Sequence, residues 1–334
     1  MKVFLTGGTG FIGQPLTHAL VQHGWEVIAL VRNPESAEAL AIQTTGSELV
    51  RGDITDRESM RKAMQRANIV IHNAGSYEFG ISGSECERMR DINVQGTKNT
   101  VGLALELGIS KIVYISTILA FGDTGGVIAD ETFRRNAAPL SCYEETKTEA
   151  HEYISRLQQD GAPIVIACPA GVIGAGDHSG LGHLARMYVR GWLPPILFAA
   201  NGWRAHVHVT DLVEGIARCA KLGKVGESYI LSSGIMQHRV MFDLWKQTPG
   251  GFKRTIFWMP KWLAILFNII AEPIERLLGL PIVFCREFAV AAFANWKFTA
   301  NKAKRELGMQ FRSVEQAWLD TLEAERMIAA KKKN

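Results

Sequence analysis

Tyr143 and Lys147 stand four residues apart in Tyr143-Glu144-Glu145-Thr146-Lys147, a separation that puts two side chains on one face of a helix. An ammonium so placed can lie near a phenol and stabilise its ionised form. A free phenol has a pKa near 10, and a neighbouring cation brings it toward a range useful for proton transfer. Such a pair can give a proton to a carbonyl oxygen or take one in the reverse direction. The same spacing also occurs on ordinary surface helices, so its meaning depends on company. Upstream, Val113-Tyr114-Ile115-Ser116-Thr117 reads as a strand that ends in two hydroxyls, at the sheet edge where ligands bind in open α/β folds. Ser116 or Thr117 could hydrogen-bond a substrate carbonyl, or merely cap a turn.

A second group of residues could hold a cofactor. Thr6-Gly7-Gly8-Thr9-Gly10-Phe11-Ile12-Gly13 follows an apolar strand and opens a helical stretch, the context in which a glycine pattern signals a dinucleotide. Gly7 permits a tight turn, Gly10 lets backbone approach a pyrophosphate, and Gly13 lets helix pack closely on strand. Thr9, Phe11 and Ile12 would then sit with the pyrophosphate at the helix N-terminus, where free N–H groups favour an anion. The next strand ends in Ala29-Leu30-Val31-Arg32-Asn33 with no acid to accept from a ribose. Arg32 offers a fixed cationic fork suited to a 2′-phosphate, so NADP is favoured over NAD. Asp53-Ile54 is placed to meet the adenine, and Asn73-Ala74-Gly75 supplies small residues where backbone must pass close to the cofactor. The positive nicotinamide would add to the effect of Lys147 on the phenol.

Positioning these groups requires alternating strands and helices. Strands are predicted at Lys2–Leu5, Glu26–Val31, Glu48–Arg51, Ile69–His72, Lys111–Ser116 and Ile164–Cys168, with helices over Gln14–His23, Glu35–Ile42, Asp56–Arg66, Glu85–Leu107 and Tyr143–Gln159. The pattern is α/β, a Rossmann-type doubly wound parallel sheet. Residues 1–168 form the dinucleotide-binding part, with segments near 205–232 returning to it as a helix at Thr210–Ala220 and a strand at Tyr229–Leu231. Residues 169–204 and 233–330 form a smaller, discontinuous, mostly helical C-terminal lobe for substrate.

Composition sets the class. With 334 residues, 47% apolar, 21% charged and a net charge of +4, the chain suits a folded globular enzyme, not a disordered one. Part of the charge lies in Lys331-Lys332-Lys333, a solvated tail, and nucleic-acid binding is not expected. Five cysteines (Cys86, Cys142, Cys168, Cys219, Cys285) show neither a CxxC pair nor a disulfide framework, which suits a reducing, cytoplasmic setting. Met1-Lys2 leads straight into the first strand, leaving no room for a signal segment. Trp262 to Ile270 is too short to span a bilayer, and reads as a buried helix of the substrate lobe rather than a peripheral membrane contact. His206 and His208 have no acidic or thiol companions at ligand spacing, and no metal is expected.

Together these segments resemble the extended short-chain dehydrogenase/reductase family over nearly the whole chain. The resemblance rests on the glycine start, Asp53-Ile54, Ser116-Thr117, the YxxxK pair and Cys168-Pro169-Ala170-Gly171-Val172-Ile173-Gly174 in family order. His206-Val207-His208-Val209-Thr210-Asp211-Leu212 and Asn301-Lys302-Ala303-Lys304-Arg305-Glu306-Leu307-Gly308 look like its late signatures. It implies that Tyr143 is the proton donor, that Thr117 is the substrate-facing hydroxyl with Ser116 in reserve, and that Tyr143 and Lys147 also touch the nicotinamide ribose. It further implies that Pro169, Ala170 and Val172 line the nicotinamide. Asn93 matches a family position near the cofactor, though it could equally be a packing residue.

Leu30-Val31-Arg32-Asn33-Pro34 and the aromatic-rich C-terminal lobe look most like the dihydroflavonol-reductase-like branch. That likeness implies NADPH-dependent reduction of a ketone or aldehyde on a hydrophobic, aromatic or polycyclic molecule, by a monomer or homodimer. Trp192, Pro194, Trp203, Trp258, Phe267 and Phe284 could line the pocket, although such residues are more often core. A sterol-type hydroxyl dehydrogenase and an NAD-dependent sugar-nucleotide epimerase or dehydratase share the same site. Cys168 stands where many nucleotide-sugar relatives carry arginine, and Arg186, Arg190 and Arg204 are the few groups left for a diphosphate. A redox sensor that holds NADP without turnover would not need Tyr143, Lys147 and the strand-end hydroxyl.

Overall fold

The computed structural model describes residues 1–249, 255–279, 282 and 284–331. Lys332-Lys333, the end of the basic tail, lie outside the described residues.

The apolar runs of the first half become strands β1 (Lys2–Thr6), β2 (Glu26–Val31), β3 (Glu48–Arg51), β4 (Ile69–His72), β5 (Lys111–Ile115) and β6 (Ile164–Pro169). Strands β1, β4 and β6 are almost wholly buried, as strands covered on both faces must be. The chain then leaves the sheet through β7 (Gly171–Ile173), β8 (Ile196–Phe198) and β9 (Trp203–His208), and re-enters it as β10 (Ser228–Leu231). The sheet runs β10-β6-β5-β4-β1-β2-β3, every neighbouring pair parallel. It is the Rossmann-type doubly wound sheet expected. Its order reverses between β1 and β4, and a crevice opens there at the carboxyl ends of the strands.

Helices α1 (Gly13–Gln22), α2 (Ala37–Gln43), α3 (Arg57–Met64), α4 (Gly83–Arg90), α5 (Gly96–Glu106) and α6 (Cys142–Gln159) cover the sheet. The continuous helix predicted over Glu85–Leu107 is in fact two, separated by a π-helical turn at Asp91–Gln95. Apolar periodicity does not reveal such a turn, because it inserts one residue without breaking the helical path. Helix α6 begins where Ser141 accepts a hydrogen bond from the Glu144 N–H, a capping arrangement that fixes the first turn and with it Tyr143.

Helix α8 (Val209–Leu222) returns to the main sheet and packs on α1, β5 and β6 with α12 (Asn301–Leu307) beside it, while the C-terminal lobe holds α7 (Gly180–Val189), α9 (His238–Lys246), α10 (Lys261–Leu277), α11 (Arg286–Phe293) and α13 (Val314–Lys331). Strands β11 (Gly234–Gln237) and β13 (Asn295–Trp296) join β9 and β7 in a small sheet, and β12 (Phe257–Met259) pairs with β8. A second core of Tyr188, Trp245, Trp318 and Leu322 lies beneath this lobe.

Two expectations fail. Helix α10 is not a buried element: Trp262 is 68% exposed and Ile270 54%, and only Ala264 and Asn268 are buried. Apolar content alone cannot tell a helix packed on a core from one left uncovered. No helix among the described residues is long and apolar enough to cross a membrane. Cys86 and Cys142 are joined by a disulfide with Cα atoms 5.9 Å apart, tying α4 to the first residue of α6. Their separation of 56 residues carries no local signal. Cys168, Cys219 and Cys285 are free and buried.

Closing a loop of that size stabilises a chain by roughly 2–4 kcal/mol. Reductant is therefore expected to lower the thermal midpoint by several degrees, and to leave the midpoint of a Cys86→Ser/Cys142→Ser double variant unchanged. An equal response in both proteins would contradict the cross-link.

Candidate active site

At the reversal point the strands frame a cavity of about 1060 Å³. Gly7 has φ 71°, and a Cβ there would stand 2.7 Å from the Ala74 backbone. A Cβ on Gly13 would stand 1.9 Å from the Gly7 carbonyl oxygen. Both positions therefore exclude a side chain. The consequence is that α1 starts directly under the turn, with Thr9, Gly10, Phe11 and Ile12 lining the cavity and Gly13 buried beneath it. Arg32, Asp53, Ile54, Asn73, Ala74 and Gly75 line the same cavity, as do Pro169, Ala170 and Val172. Arg32 makes no ion pair with any described residue, and its guanidinium stays free for an anion.

Behind this wall runs a hydrogen-bond chain whose proton positions follow from its two ends. The Ala74 N–H donates to Thr6 Oγ1 (3.2 Å), and Thr97 Oγ1 donates to the Asn93 carbonyl (2.7 Å). Thr97 Oγ1 therefore accepts from His72 Nε2 (3.0 Å), leaving His72 Nδ1 to accept from the Thr6 hydroxyl (2.8 Å). Burial, and then Lys147, hold the His72 pKa down to about 3, so the ring is neutral. His72 is thus a strut joining β1, β4 and α5. Asn93 is tied up as well: it bonds Ser76 N–H and C=O and Thr146 Oγ1, and does not line the cavity, which favours its packing role.

Ser116, Thr117, Tyr143 and Lys147 all reach the cavity. Burial, and after it the neighbouring Tyr77 phenol, hold the Tyr143 pKa well above the usual range, against a smaller lowering by the nearby Thr117 hydroxyl. The Lys147 ammonium is turned to the end of β5, donating to the Ile115 carbonyl (2.9 Å) and to Tyr114 Oη (3.3 Å). Burial pushes its pKa down to about 8. Lys147 shares the face with Tyr143, then, while its ammonium is held by the strand. Ser116 Oγ lies 2.8 Å from His151 Nδ1, two turns beyond Tyr143 on α6. His151 escaped the sequence reading, although its spacing of eight from Tyr143 places it on the same face.

Two clamps hold these parts in register. Glu144, buried and next to Tyr143, accepts from Arg135 Nη2 (2.7 Å) and the Leu140 N–H (3.0 Å), while the same Arg135 nitrogen donates to the Leu119 carbonyl (2.6 Å). The segment after Thr117 is thereby fastened to α6. Glu287 of α11 accepts from the Gly80 N–H (3.0 Å) and the Cys142 N–H (3.3 Å), joining the C-terminal lobe to the start of α6.

The substrate end is aromatic. Tyr77 meets Tyr143 edge-on at 4.6 Å, Phe79 lies at 6.3 Å, and Leu181 and Phe288 close the wall. No periodicity pointed to Tyr77, which sits in a loop. Of the three arginines available for a diphosphate, Arg186 is spent on the Asp177 carbonyl and Glu325, and Arg190 stacks over exposed Trp192. Only Arg204 lines the cavity, with its Nε buried and unpaired. His208 accepts from the Thr210 N–H at the start of α8, while His206 packs edge-on against Trp318 and lines the cavity with both ring nitrogens buried and unpartnered among the described residues.

His72 and His238 are buried and His151 is half-buried, with pKa values held down to about 3, 4 and 4 for His72, His151 and His238. The unfolded chain would protonate them near 6.5, so between about 4 and 6.5 it binds more protons than the fold does, and stability falls as pH drops through that window. The urea midpoint should fall from pH 7 to pH 5, and fall less in His151→Gln. Identical pH slopes in the two proteins would contradict the assignment for His151.

Comparison with known proteins agrees with this geometry. Residues 3–232 match the family model described as the NAD dependent epimerase/dehydratase family. The chain is 28% identical to a 4-hydroxy-2-methyl-3-oxo-4-farnesyl-3,4-dihydroquinoline-1-oxide ketoreductase of Stigmatella aurantiaca, over 96% of each chain. It is 28% identical to a putative dihydroflavonol 4-reductase of Synechocystis, over 96% of this chain and 93% of that one. A UDP-glucose 4-epimerase from Thermotoga maritima, solved with UDP-glucose, shares the fold with a TM-score of 0.78 at 21% identity, covering 98% of this chain and 100% of that one. With a glycine turn, a strand-end hydroxyl and a YxxxK pair meeting in one crevice, the chain belongs to the NAD dependent epimerase/dehydratase family, within the extended short-chain dehydrogenases/reductases, and is an NAD(P)-dependent enzyme.

Proposed function

We propose that the enzyme reduces a ketone or aldehyde on a hydrophobic small molecule, with NADPH as reductant. The observation that carries this reading is the meeting of Tyr143, Thr117 and Lys147 in the cavity that the glycine turn, Arg32 and the Pro169–Val172 segment also line. The donor set fits a phosphorylated dinucleotide. The glycine turn leaves the α1 N-terminus open to a pyrophosphate, and Arg32 has a free fork for a 2′-phosphate. When bound, NADPH supplies a hydride.

The protein's own groups supply the rest. Burial keeps the Tyr143 phenol protonated at neutral pH, ready to pass its proton from Oη to the carbonyl oxygen as that oxygen gains charge. Thr117 Oγ1 is placed to donate a hydrogen bond to the same oxygen and orient it. Lys147, held by the Ile115 carbonyl, is the group nearest in chain and face for the nicotinamide ribose and for a phenolate left after transfer. Ser116, engaged with His151, braces the strand end and stays in reserve as a donor. Tyr77, Leu119, Val172, Leu181 and Phe288 give the surroundings of Tyr143 an apolar character suited to a hydrophobic substrate. The names of the Stigmatella and Synechocystis relatives, a ketoreductase of a farnesyl-bearing dihydroquinoline oxide and a putative dihydroflavonol 4-reductase, support the same class. Of Arg186, Arg190 and Arg204, only Arg204 lines the cavity to favour an anionic substituent, as on a sugar nucleotide, and one of the three is a poor match for a diphosphate.

Tyr143→Phe is expected to lower kcat for aryl ketone reduction by about 10²-fold or more, with NADPH binding followed by fluorescence unchanged. Arg32→Ala should raise KM for NADPH about tenfold or more, from loss of a charge-assisted contact, and leave KM for NADH nearly constant. Full activity in the first variant would remove Tyr143 from the chemistry. Equal effects on both cofactors in the second would remove Arg32 from their discrimination.

A further inference from the structure

Beyond Leu181 and Phe288 lies a second cavity of about 370 Å³, and those two side chains are walls of both. The chamber therefore adjoins the site in which Tyr143 stands. Its size falls in the range of a ligand pocket. Among the described residues lining it, His238 alone has a polar side chain. Nδ1 of that ring donates to the Ala199 carbonyl (3.0 Å), burial keeps the ring neutral, and Nε2 has no partner. One lone acceptor cannot hold ordered water, which needs two to four polar partners. An apolar chamber of this size suits hydrocarbon instead.

The shape narrows the class. Among the described residues the two cavities share only Leu181 and Phe288, a narrow boundary that suits a flexible chain better than a fused ring system. On its far side the chamber reaches the surface, since Ile196 of β8 and Phe267 of α10 line it and are 50% and 42% exposed. The uncovered apolar face of α10 thus borders the chamber's outer mouth.

We propose that this chamber binds a linear hydrocarbon chain, alkyl or isoprenoid, carried by the carbonyl compound that is reduced at Tyr143. The proposal rests on the reductase reading above and names its substrate class: long-chain ketones or aldehydes. Leu184 of α7 and Ala292 of α11 are wall residues remote from the catalytic groups, and enlarging either side chain fills the chamber.

The test has two arms. Calorimetry follows the binding of 1-alkanols of increasing length to the full chain, and NADPH oxidation follows the matching series of methyl ketones. Each is run on the native protein, Leu184→Trp and Ala292→Leu, with unchanged NADPH binding as the check on folding. In the native protein, affinity and kcat/KM should rise about fourfold per added methylene until the chamber is full. In the filled variants that rise should flatten early, while the shortest ketone is turned over as before. Turnover that ignores chain length, or a rise that survives in both filled variants, would overturn the chamber. Chain-dependent alcohol binding with no ketone reduced at any length would instead overturn the reductase reading and leave the chamber as a chain-binding site.

Discussion

The contact between Gly13 and the Gly7 carbonyl, together with the contact of Gly7 on Ala74, is the constraint on which the rest of the site depends. A side chain at either position would push α1 off the turn or β1 off the end of β4. With both absent, the helix N-terminus, the ends of two strands and the Thr6–His72–Thr97 chain are drawn into one rigid corner. Rigidity here has a chemical purpose. A hydride donor must be held within a few tenths of an ångström of productive geometry, and a corner built from backbone contacts moves less than one built from side chains.

The catalytic half is attached to that corner by other means. Ile115 and Tyr114, on the strand next to β4, hold Lys147, and the Arg135–Glu144 pair fastens the segment after Thr117 to α6. Both groups are largely buried, so breaking the pair would leave an uncompensated charge. Glu287 reaches across from the C-terminal lobe to the Cys142 N–H, and the disulfide reaches the same residue from α4. Two separate parts of the chain therefore converge on the residue before Tyr143, and the Arg135 segment on the residue after it. Position of the phenol is over-determined, as expected where orientation decides rate.

Much of this was legible in the sequence because parallel strands buried on both faces must be continuous apolar runs, and a phosphate-binding turn leaves few residue choices. Glu26–Val31 and Ile69–His72 could be read to the residue on those grounds. What was hidden is of another kind. The π-helical turn at Asp91–Gln95 keeps helical periodicity, and the Cys86–Cys142 bond joins residues whose separation says nothing. Lys147 was readable as a partner by face, yet its ammonium answers to Ile115, a contact made only when two elements pack. Helix α10 has the composition of a core helix and the exposure of a surface one, because composition does not record what lies opposite.

The central claim is that a hydride reaches a carbonyl carbon and stays there. The most direct measurement is reduction of a long-chain methyl ketone with NADPH carrying deuterium at both C4 positions of the dihydronicotinamide, with the alcohol product analysed by mass spectrometry. The account predicts one deuterium on the carbinol carbon and one NADPH consumed per alcohol formed. An alcohol free of deuterium, or turnover of a nucleotide-sugar with no net consumption of NADPH, would contradict it.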